Sequence, residues 1–248
     1  MKTAFVKILL IASAFCAILW VSTGAAGYGY SDQKTIKGEG PVIEKKYDLG
    51  AISGVGLAIS ANVYLTQGEN REVRITGQEN ILANLDLKNE ESVLKIGFKE
   101  NVSKCEPVKV YITLPTIELM KISGSGDIEM VNHFNNLKDL KMAISGSGNI
   151  EGDLDGEKIQ ASISGSGNIT LRGKGSSLDF SISGSGNMNA KELAAEEAEI
   201  SIAGSGNASV NVSRKLDGRV SGSGDIAYKG DPTVNFHKAG SGGVHKIH

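Results

Sequence analysis

A Gly-Ser-Gly triplet recurs seven times in the second half of the sequence, and its spacing limits the folds that this chain can adopt. The triplets are separated by 18 to 22 residues and begin at Gly124, Gly146, Gly165, Gly184, Gly204, Gly222 and Gly240. Self-similarity with a fixed period near this length is typical of repeat architectures, in which one repeat alone cannot bury its apolar face. The period therefore predicts a stack of similar coils.

Apolar and polar residues alternate around each triplet. Apolar residues stand two, four and six positions before the first glycine and four positions after it, with polar residues such as Gln160, Asp179 and Glu199 between them. The four columns are Ile122, Ile144, Ile163, Ile182, Ile202 and Val220; Met120, Met142, Ala161, Phe180 and Ile200; Leu140, Ile159, Leu178, Ala198 and Leu216; and Ile128, Ile150, Ile169, Met188, Ala208, Ile226 and Val244. This period of two is typical of strands with one buried face. We predict an all-β fold: a single-stranded right-handed parallel β-helix with about seven coils.

The residues at the corner between coils are predicted to be structural. Glycine accepts a positive φ at little steric cost, and asparagine is the next most tolerant residue, while stacked asparagine side chains can also hydrogen-bond from coil to coil. The predicted turn ladder consists of Gly124, Gly146, Gly165, Gly184, Gly204, Gly222, Asn149, Asn168, Asn187 and Asn207. We predict no catalytic, cofactor-binding or metal-binding role for these residues.

The rest of the chain divides by composition. Residues 1–26 are predicted to be a signal peptide, 27–40 a flexible leader, 41–118 a strand-rich lead-in continuous with the solenoid, and 119–248 the repeats. Within the lead-in, residues 89–91 are predicted to form a hairpin turn. The polar stretches 153–157 and 172–176 are predicted to be loops, and the segment Lys191–Ala198 has helical propensity.

Export is predicted from the first residues. Lys2 and Lys7 precede an apolar run, Ile8–Val21, which is followed by small residues suited to cleavage. We expect a location in the periplasm, at the outer-membrane surface or outside the cell. After cleavage Cys105 is the only cysteine, and we expect it to be buried as a small apolar side chain. The absence of a basic patch argues against nucleic acid as a partner.

The repeats do not carry the pattern of a known ligand loop. Calcium-binding glycine-rich repeats have a nine-residue period with an aspartate in each turn, whereas four of the six corresponding positions here are asparagine. Phosphate loops need a following helix and a lysine. His237, His245 and His248 could hold a metal, but a mobile tail is the simpler interpretation. We therefore predict no cofactor, although a polysaccharide-active enzyme stays an alternative because exported β-helices include such enzymes.

The lead-in and the repeats together carry a family resemblance. The segment Val110–Pro115 is followed by Ile-Ser-Gly-Ser-Gly-Asn/Asp-Ile repeats, of which Gly148–Ile150 and Gly167–Ile169 are the most specific. Over roughly Tyr47–Lys229, the sequence resembles the putative auto-transporter adhesin, head GIN domain family, which occurs in exported proteins of Bacteroidetes. The resemblance implies a right-handed parallel β-helix at the cell envelope or surface, without catalytic residues.

Three hypotheses for function follow. The first is a non-enzymatic module that binds a cell-surface or envelope protein or glycan. The second is the polysaccharide-active enzyme. The third is a structural or regulatory envelope component that self-associates through the ends of the β-helix, since Lys238 falls in an inward column of the last coil, Val234–Val244.

Overall fold

The computed structural model describes residues 35–248, which form a parallel β-solenoid of about seven turns. The predicted signal peptide and residues 27–34 of the predicted leader lie outside the described residues.

The first half contains nine strands and one short helix. These are β1 (Thr35–Lys37), β2 (Val42–Tyr47), β3 (Gly54–Leu57), β4 (Ala61–Gln67), β5 (Glu72–Gln78), α1 (Glu79–Ala83), β6 (Leu85–Glu90), β7 (Val93–Phe98), β8 (Asn101–Lys104) and β9 (Val108–Leu114). The second half contains β10 (Leu119–Gly124), β11 (Asp127–Met130), β12 (Phe134–Gly146), β13 (Asn149–Gly165), β14 (Asn168–Gly184), β15 (Asn187–Gly204), β16 (Asn207–Gly222), β17 (Ile226–Lys229), β18 (Thr233–Gly240) and β19 (Val244–Lys246).

The repeats stack as parallel coils in the predicted register. Each of β13 to β16 runs from the residue after one Gly-Ser-Gly triplet to the first glycine of the next, and Ile144, Ile163 and Ile182 lie directly beside one another. The predicted inward columns are buried along the stack, from Met120 and Ile122 to Ile226. This confirms the prediction of a β-helix with an aliphatic interior.

Two glycines at each corner are required for different reasons. Gly165 has a φ of +132°, and a Cβ built there would lie 2.4 Å from the carbonyl oxygen of Gly146. Gly167 has no unusual φ, but its Cβ would lie 2.4 Å from the carbonyl oxygen of Gly148. Between them, the Ser166 N–H donates a 2.9 Å hydrogen bond to the Gly146 oxygen. The corners therefore stack backbone on backbone, at a separation that leaves no room for a side chain.

The first coils are stacked out of chain order. The coil formed by β3 and β4 lies between the β7–β9 coil and the coil of β10 and β11, because β3 pairs with both β7 and β10 and β4 pairs with both β9 and β11. Antiparallel strands complete this end, with β5 between β2 and β9 and a β6–β7 hairpin. Ile81 and Leu82 of α1 are buried in the same core.

Several local predictions are wrong. Residues 153–157 and 172–176, predicted as loops, belong to β13 and β14, and the segment Lys191–Ala198, with its helical propensity, is part of β15. Leu193, Ala195 and Ala198 are buried there, so packing against neighbouring coils overrides the local preference. The one helix of the described residues is α1, in the lead-in.

Three further details differ from the sequence-based expectations. Residues 35–37 of the predicted flexible leader form β1, which pairs with β8. The hairpin turn lies at Glu91 and Ser92, both of which have positive φ, whereas Asn89 and Glu90 of the predicted turn belong to β6. Positive φ at the corners falls on the first glycine of the triplet, and none of the four ladder asparagines adopts it. The asparagines begin the next strand instead.

Candidate functional site

A ladder of side-chain amides runs along the outside of the corners. Asn149 donates to Asp127 over 2.8 Å, and the next amides donate along the stack over 2.9, 3.1 and 3.1 Å through Asn168, Asn187 and Asn207. The Asp225 and Gly243 backbone N–H groups continue the ladder. Each amide is used by its neighbours, so this row is already satisfied within the protein.

The ladder glycines also form backbone hydrogen bonds between neighbouring coils. Gly124, Gly146, Gly165, Gly184, Gly204 and Gly222 all have φ between +127° and +140°. The carbonyl oxygen of each of these six glycines accepts a backbone hydrogen bond from the serine of the next triplet, from Ser147 on Gly124 to Ser241 on Gly222.

A groove on the outside of the repeats crosses five strands. Its lining residues are Asn136, Leu137, Lys138, Asp155, Gly156, Glu157, Lys174, Gly175, Ser176, Ala194, Ala195, Glu196, Asn211 and Ser213. We call this set the long groove. It has a volume of about 630 Å³ and, at about 4.8 Å per strand, extends roughly 19 Å along the stack.

Small residues make the floor of the long groove. Gly156, Gly175 and Ala195 are in register on successive coils, and a Cβ at Gly175 would already lie 3.0 Å from Ile159 Cδ1. The backbone therefore packs closely on the core at this line, and the longer side chains on both sides stand above it. The sequence does not predict this groove, because its glycines have the composition of a loop. Their spacing of one coil is the signal that could have indicated that they share one line.

The rims of the long groove are polar and carry both charges. Lys138 and Lys174 are exposed, as are Glu157 and Glu196. Amide and hydroxyl groups of Asn136, Ser176, Asn211 and Ser213 stand between them, and the lining contains no aromatic residue. The groove therefore offers hydrogen-bond donors and acceptors along an extended line.

A histidine lies close to the groove. His133 Nδ1 is 2.8 Å from Asp153 Oδ1, and its Nε2 is 3.5 Å from Asp155 Oδ1 on the next coil. The hydrogen bond to Asp153 is the main reason why the pKa of His133 is raised above its usual value. The two carboxylates stand at opposite nitrogens of the ring, so the arrangement stabilises an imidazolium.

The remaining reactive groups are dispersed. Cys105 is half-buried against the core, and burial raises the pKa of its thiol, so it stays protonated at neutral pH. His237 lies on β18 and His245 on β19, and within residues 35–248 no group of three or more His, Cys, Asp and Glu side chains could hold a metal ion. In that same range no helix has the length and apolar character of a membrane span.

Known structures share this architecture. A putative adhesin from Bacteroides fragilis NCTC 9343 is 26% identical with a TM-score of 0.79, covering 86% of this chain and 100% of its own. A putative lipid binding protein from Parabacteroides distasonis ATCC 8503 is 25% identical with a TM-score of 0.75, covering 87% of this chain and 100% of its own. A putative adhesin from the same strain, 24% identical with a TM-score of 0.72 and coverages of 86% and 100%, supports the fold alone.

The sequence comparison points the same way. A search of curated proteins finds no match. The profile of one family matches residues 53–232, most of the chain and nearly the span over which the resemblance was recognised. The chain therefore belongs to the putative auto-transporter adhesin, head GIN domain family.

Proposed function

We propose that this protein is an exported, non-enzymatic binding module of the cell envelope or cell surface, and that the long groove binds an extended polar glycan. The observation that carries this proposal is the continuous polar line across five strands. The amide ladder beside the corners is internally satisfied, whereas Lys138, Glu157 and Lys174 on the groove rims form no ion pair within residues 35–248. The family description and the Bacteroides fragilis neighbour name adhesins, which supports a binding role.

A glycan fits the chemistry of the rims. Its hydroxyl groups can both donate and accept, so they match carboxylates such as Glu157 and ammonium groups such as Lys174 along one line. The coils are held by in-register strands, so the groove is largely pre-formed and a ligand would bind with little ordering of the protein.

An enzymatic role has less support. A general acid in glycoside hydrolysis needs a raised pKa. Among residues 35–248, the carboxyl groups with shifted pKa values are those of Glu72, Glu90, Asp217 and Asp231, and a lysine hydrogen bond lowers each of them. Neither the family description nor the neighbours name an enzymatic activity.

The test compares two arginine substitutions on the same strand. Ala194→Arg places a long side chain in the groove, and Ala203→Arg is the control, since Ala203 is also exposed on β15 but lies in the serine column beside the corner. Binding to immobilised bacterial surface polysaccharides is measured by interferometry. We expect Ala194→Arg to weaken binding about tenfold, equivalent to ~1.4 kcal/mol, and Ala203→Arg to leave it unchanged.

Three outcomes would contradict the proposal. If no polysaccharide of the panel is retained, the glycan assignment is wrong. If the protein binds vesicles of phosphatidylglycerol and no glycan, the ligand is a lipid, as in the name of one neighbour. Release of new reducing ends from a bound polysaccharide would show that the protein is an enzyme.

Self-association is a second candidate function, favoured by the last turn of the solenoid. Val234, Phe236 and Val244 are only half-buried there, and Lys238, paired with buried Val220, is exposed. A second copy that stacks on this turn would bury the three apolar side chains. Light scattering of the full chain, of Phe236→Asp and of the control His237→Asp tests this. A monomeric full chain would exclude self-association.

A further inference from the structure

A row of five outward side chains crosses five neighbouring strands near the N-terminal end of the solenoid. Arg74 on β5 stands beside Tyr111 on β9, and Tyr111 stands beside Tyr64 on β4. Tyr64 in turn stands beside Glu129 on β11, and Glu129 beside Glu151 on β13. The order across the sheet is therefore cation, ring, ring, carboxylate, carboxylate. We call these residues the cross-strand row.

One end of the row is complete within the protein. The rings of Tyr111 and Tyr64 are stacked, with centroids 5.2 Å apart and an interplanar angle of 18°. The guanidinium carbon of Arg74 lies 5.3 Å from the Tyr111 ring centroid, and Glu44 accepts a 3.0 Å hydrogen bond from Arg74 Nη1. A guanidinium is thus held here between an aromatic ring and a carboxylate, an arrangement that suits its planar shape and its charge.

The other end of the row has the same components without a cation. A depression of about 280 Å³ is lined by Tyr64 together with Asp127, Glu129, Glu151 and neighbouring residues. Within the described residues 35–248, neither Glu129 nor Glu151 forms an ion pair. Like charges directly opposite each other on adjacent strands are destabilising.

This lack of a counter-charge contrasts with the outer surface of the later coils. There arginines form ion pairs with carboxylates of the neighbouring coil, as in Arg172 with Glu192 at 3.0 Å and Arg219 with Glu199 at 2.6 Å. The exposed glutamates of the row therefore provide an acidic surface beside an aromatic ring, with electrostatic complementarity to a positively charged group from outside.

We infer that this depression is a docking site for an arginine side chain of a basic polypeptide partner. The guanidinium would stack on the face of Tyr64 that is turned away from Tyr111 and donate hydrogen bonds to Glu129 and Glu151. The partner's guanidinium would contact Tyr64 and a carboxylate in the same way as Arg74 contacts Tyr111 and Glu44. A lysine ammonium could pair with the carboxylates but lacks the planar group that stacks on the ring and bonds in a bidentate manner. The long groove shares only β13 with this depression, and the two have no lining residue in common, so the proposed glycan site and this site can be tested separately.

The experiment titrates the full chain with hexa-arginine and with hexa-lysine by calorimetry, at about 150 mM salt to screen non-specific attraction. We expect hexa-arginine to bind more tightly than hexa-lysine. Glu129→Gln combined with Glu151→Gln removes both charges at nearly constant shape and should weaken hexa-arginine binding about tenfold or more. Tyr64→Leu should reduce the preference for arginine over lysine, because the stacking surface is lost while the carboxylates stay.

The control is Glu157→Gln, which removes one exposed negative charge in the long groove. It should leave the affinity for hexa-arginine unchanged, and circular dichroism confirms that each variant is folded. Equal affinity for the two peptides in the unmodified protein would overturn the inference, as would no binding of either. If Glu157→Gln lowers the affinity for hexa-arginine and the double variant does not, the basic peptide binds in the long groove. That result would also contradict the inference. Glycan binding is measured separately with Ala194→Arg. A result that contradicts the glycan proposal is therefore distinguishable from one that contradicts the arginine site.

Discussion

The side-chain amide of Asn168 donates a 2.9 Å hydrogen bond to the side-chain oxygen of Asn149, one coil earlier in the stack. Asn187 repeats the same contact toward Asn168 at 3.1 Å. The coils are thus joined outside the core by side chains as well as inside it by strand pairing. In a solenoid, stability is approximately a sum of such nearest-neighbour terms, so one defect affects the coils on both sides.

Removing one amide should weaken this ladder. In Asn168→Ala, the oxygen of Asn149 loses its donor and the amide of Asn187 loses its acceptor. Because water can reach these exposed groups, we expect a loss of only about 1 kcal/mol in the free energy of unfolding, measured by urea denaturation. Ser164→Ala, an exposed change on the same corner, is the control and should have little effect. Equal losses in the two variants would contradict the ladder.

A methyl group at the second corner glycine should be far more costly. In Gly167→Ala the new Cβ would lie 2.4 Å from the Gly148 oxygen and 2.7 Å from Ile144 Cγ2. Because the first of these atoms belongs to the backbone, the stacked corner must move apart, and we expect a loss of about 3 kcal/mol, measured as a fall in the denaturation midpoint.

Gly56→Ala is the matched control for that substitution. Its Cβ would have Lys95 Cγ as the nearest atom, at 3.9 Å, which is ordinary contact. With no positive φ at this glycine, the change should be neutral or stabilise the fold by up to about 1 kcal/mol. If Gly167→Ala is tolerated as well as Gly56→Ala, close stacking of the corners is wrong.

The repeats could be predicted from the sequence because the same pattern of apolar positions recurs around every Gly-Ser-Gly triplet. Positions such as Ile163 and Ile182 recur with period two around a fixed triplet, and each coil contacts its predecessor in the same register. The order of the first coils does not follow from that rule. Leu57 lies beside both Ile96 and Ile122, pairings that depend on contacts far apart in the sequence.

The long groove and the cross-strand row could not be predicted from the sequence, for physical reasons. Gly156 and Gly175 have the composition of a loop, and only the stack shows that they share one line. Tyr64 and Tyr111 were recognisable as outward residues of alternating strands, but their stacking requires the non-sequential pairing of β4 with β9. Local periodicity therefore predicts the coils, whereas surface sites depend on which strands become neighbours.

A charge in the interior should disrupt several coils together. Ile163 is 1% exposed, between Ile144 and Ile182. In Ile163→Asp a carboxyl group would be placed among aliphatic side chains without a hydrogen-bond partner, and we expect a loss of at least about 3 kcal/mol. Thermal unfolding followed by circular dichroism should show a lower and broader transition. Ser164→Asp introduces the same group on the outside and should keep the original melting curve; similar curves for both would refute the inward assignment.

The ion pair of His133 should make stability depend on pH in a defined direction. Asp153, and secondarily Asp155, raise the pKa of His133 in the folded protein above its ordinary value of 6.5. The folded state therefore binds the proton more tightly than the unfolded state does. The resulting stabilisation is fully present below about pH 6.5 and is lost as the pH rises through the higher folded-state pKa. Since the side chains are 36% and 48% exposed, solvent screening limits the effect to less than about 1 kcal/mol.

Urea denaturation at pH 5.5, 6.5 and 8.5 measures this contribution. His133→Gln keeps a polar side chain but cannot carry the charge, so the difference in unfolding free energy between wild type and variant should be largest at pH 5.5 and smallest at pH 8.5. Asp153→Asn should reduce the same difference, because its carboxylate makes the 2.8 Å contact with Nδ1, and nuclear magnetic resonance should then show a lower pKa for His133. A difference that grows toward pH 8.5 would mean that the neutral imidazole is the form that the fold prefers, with the carboxylates turned away from the ring.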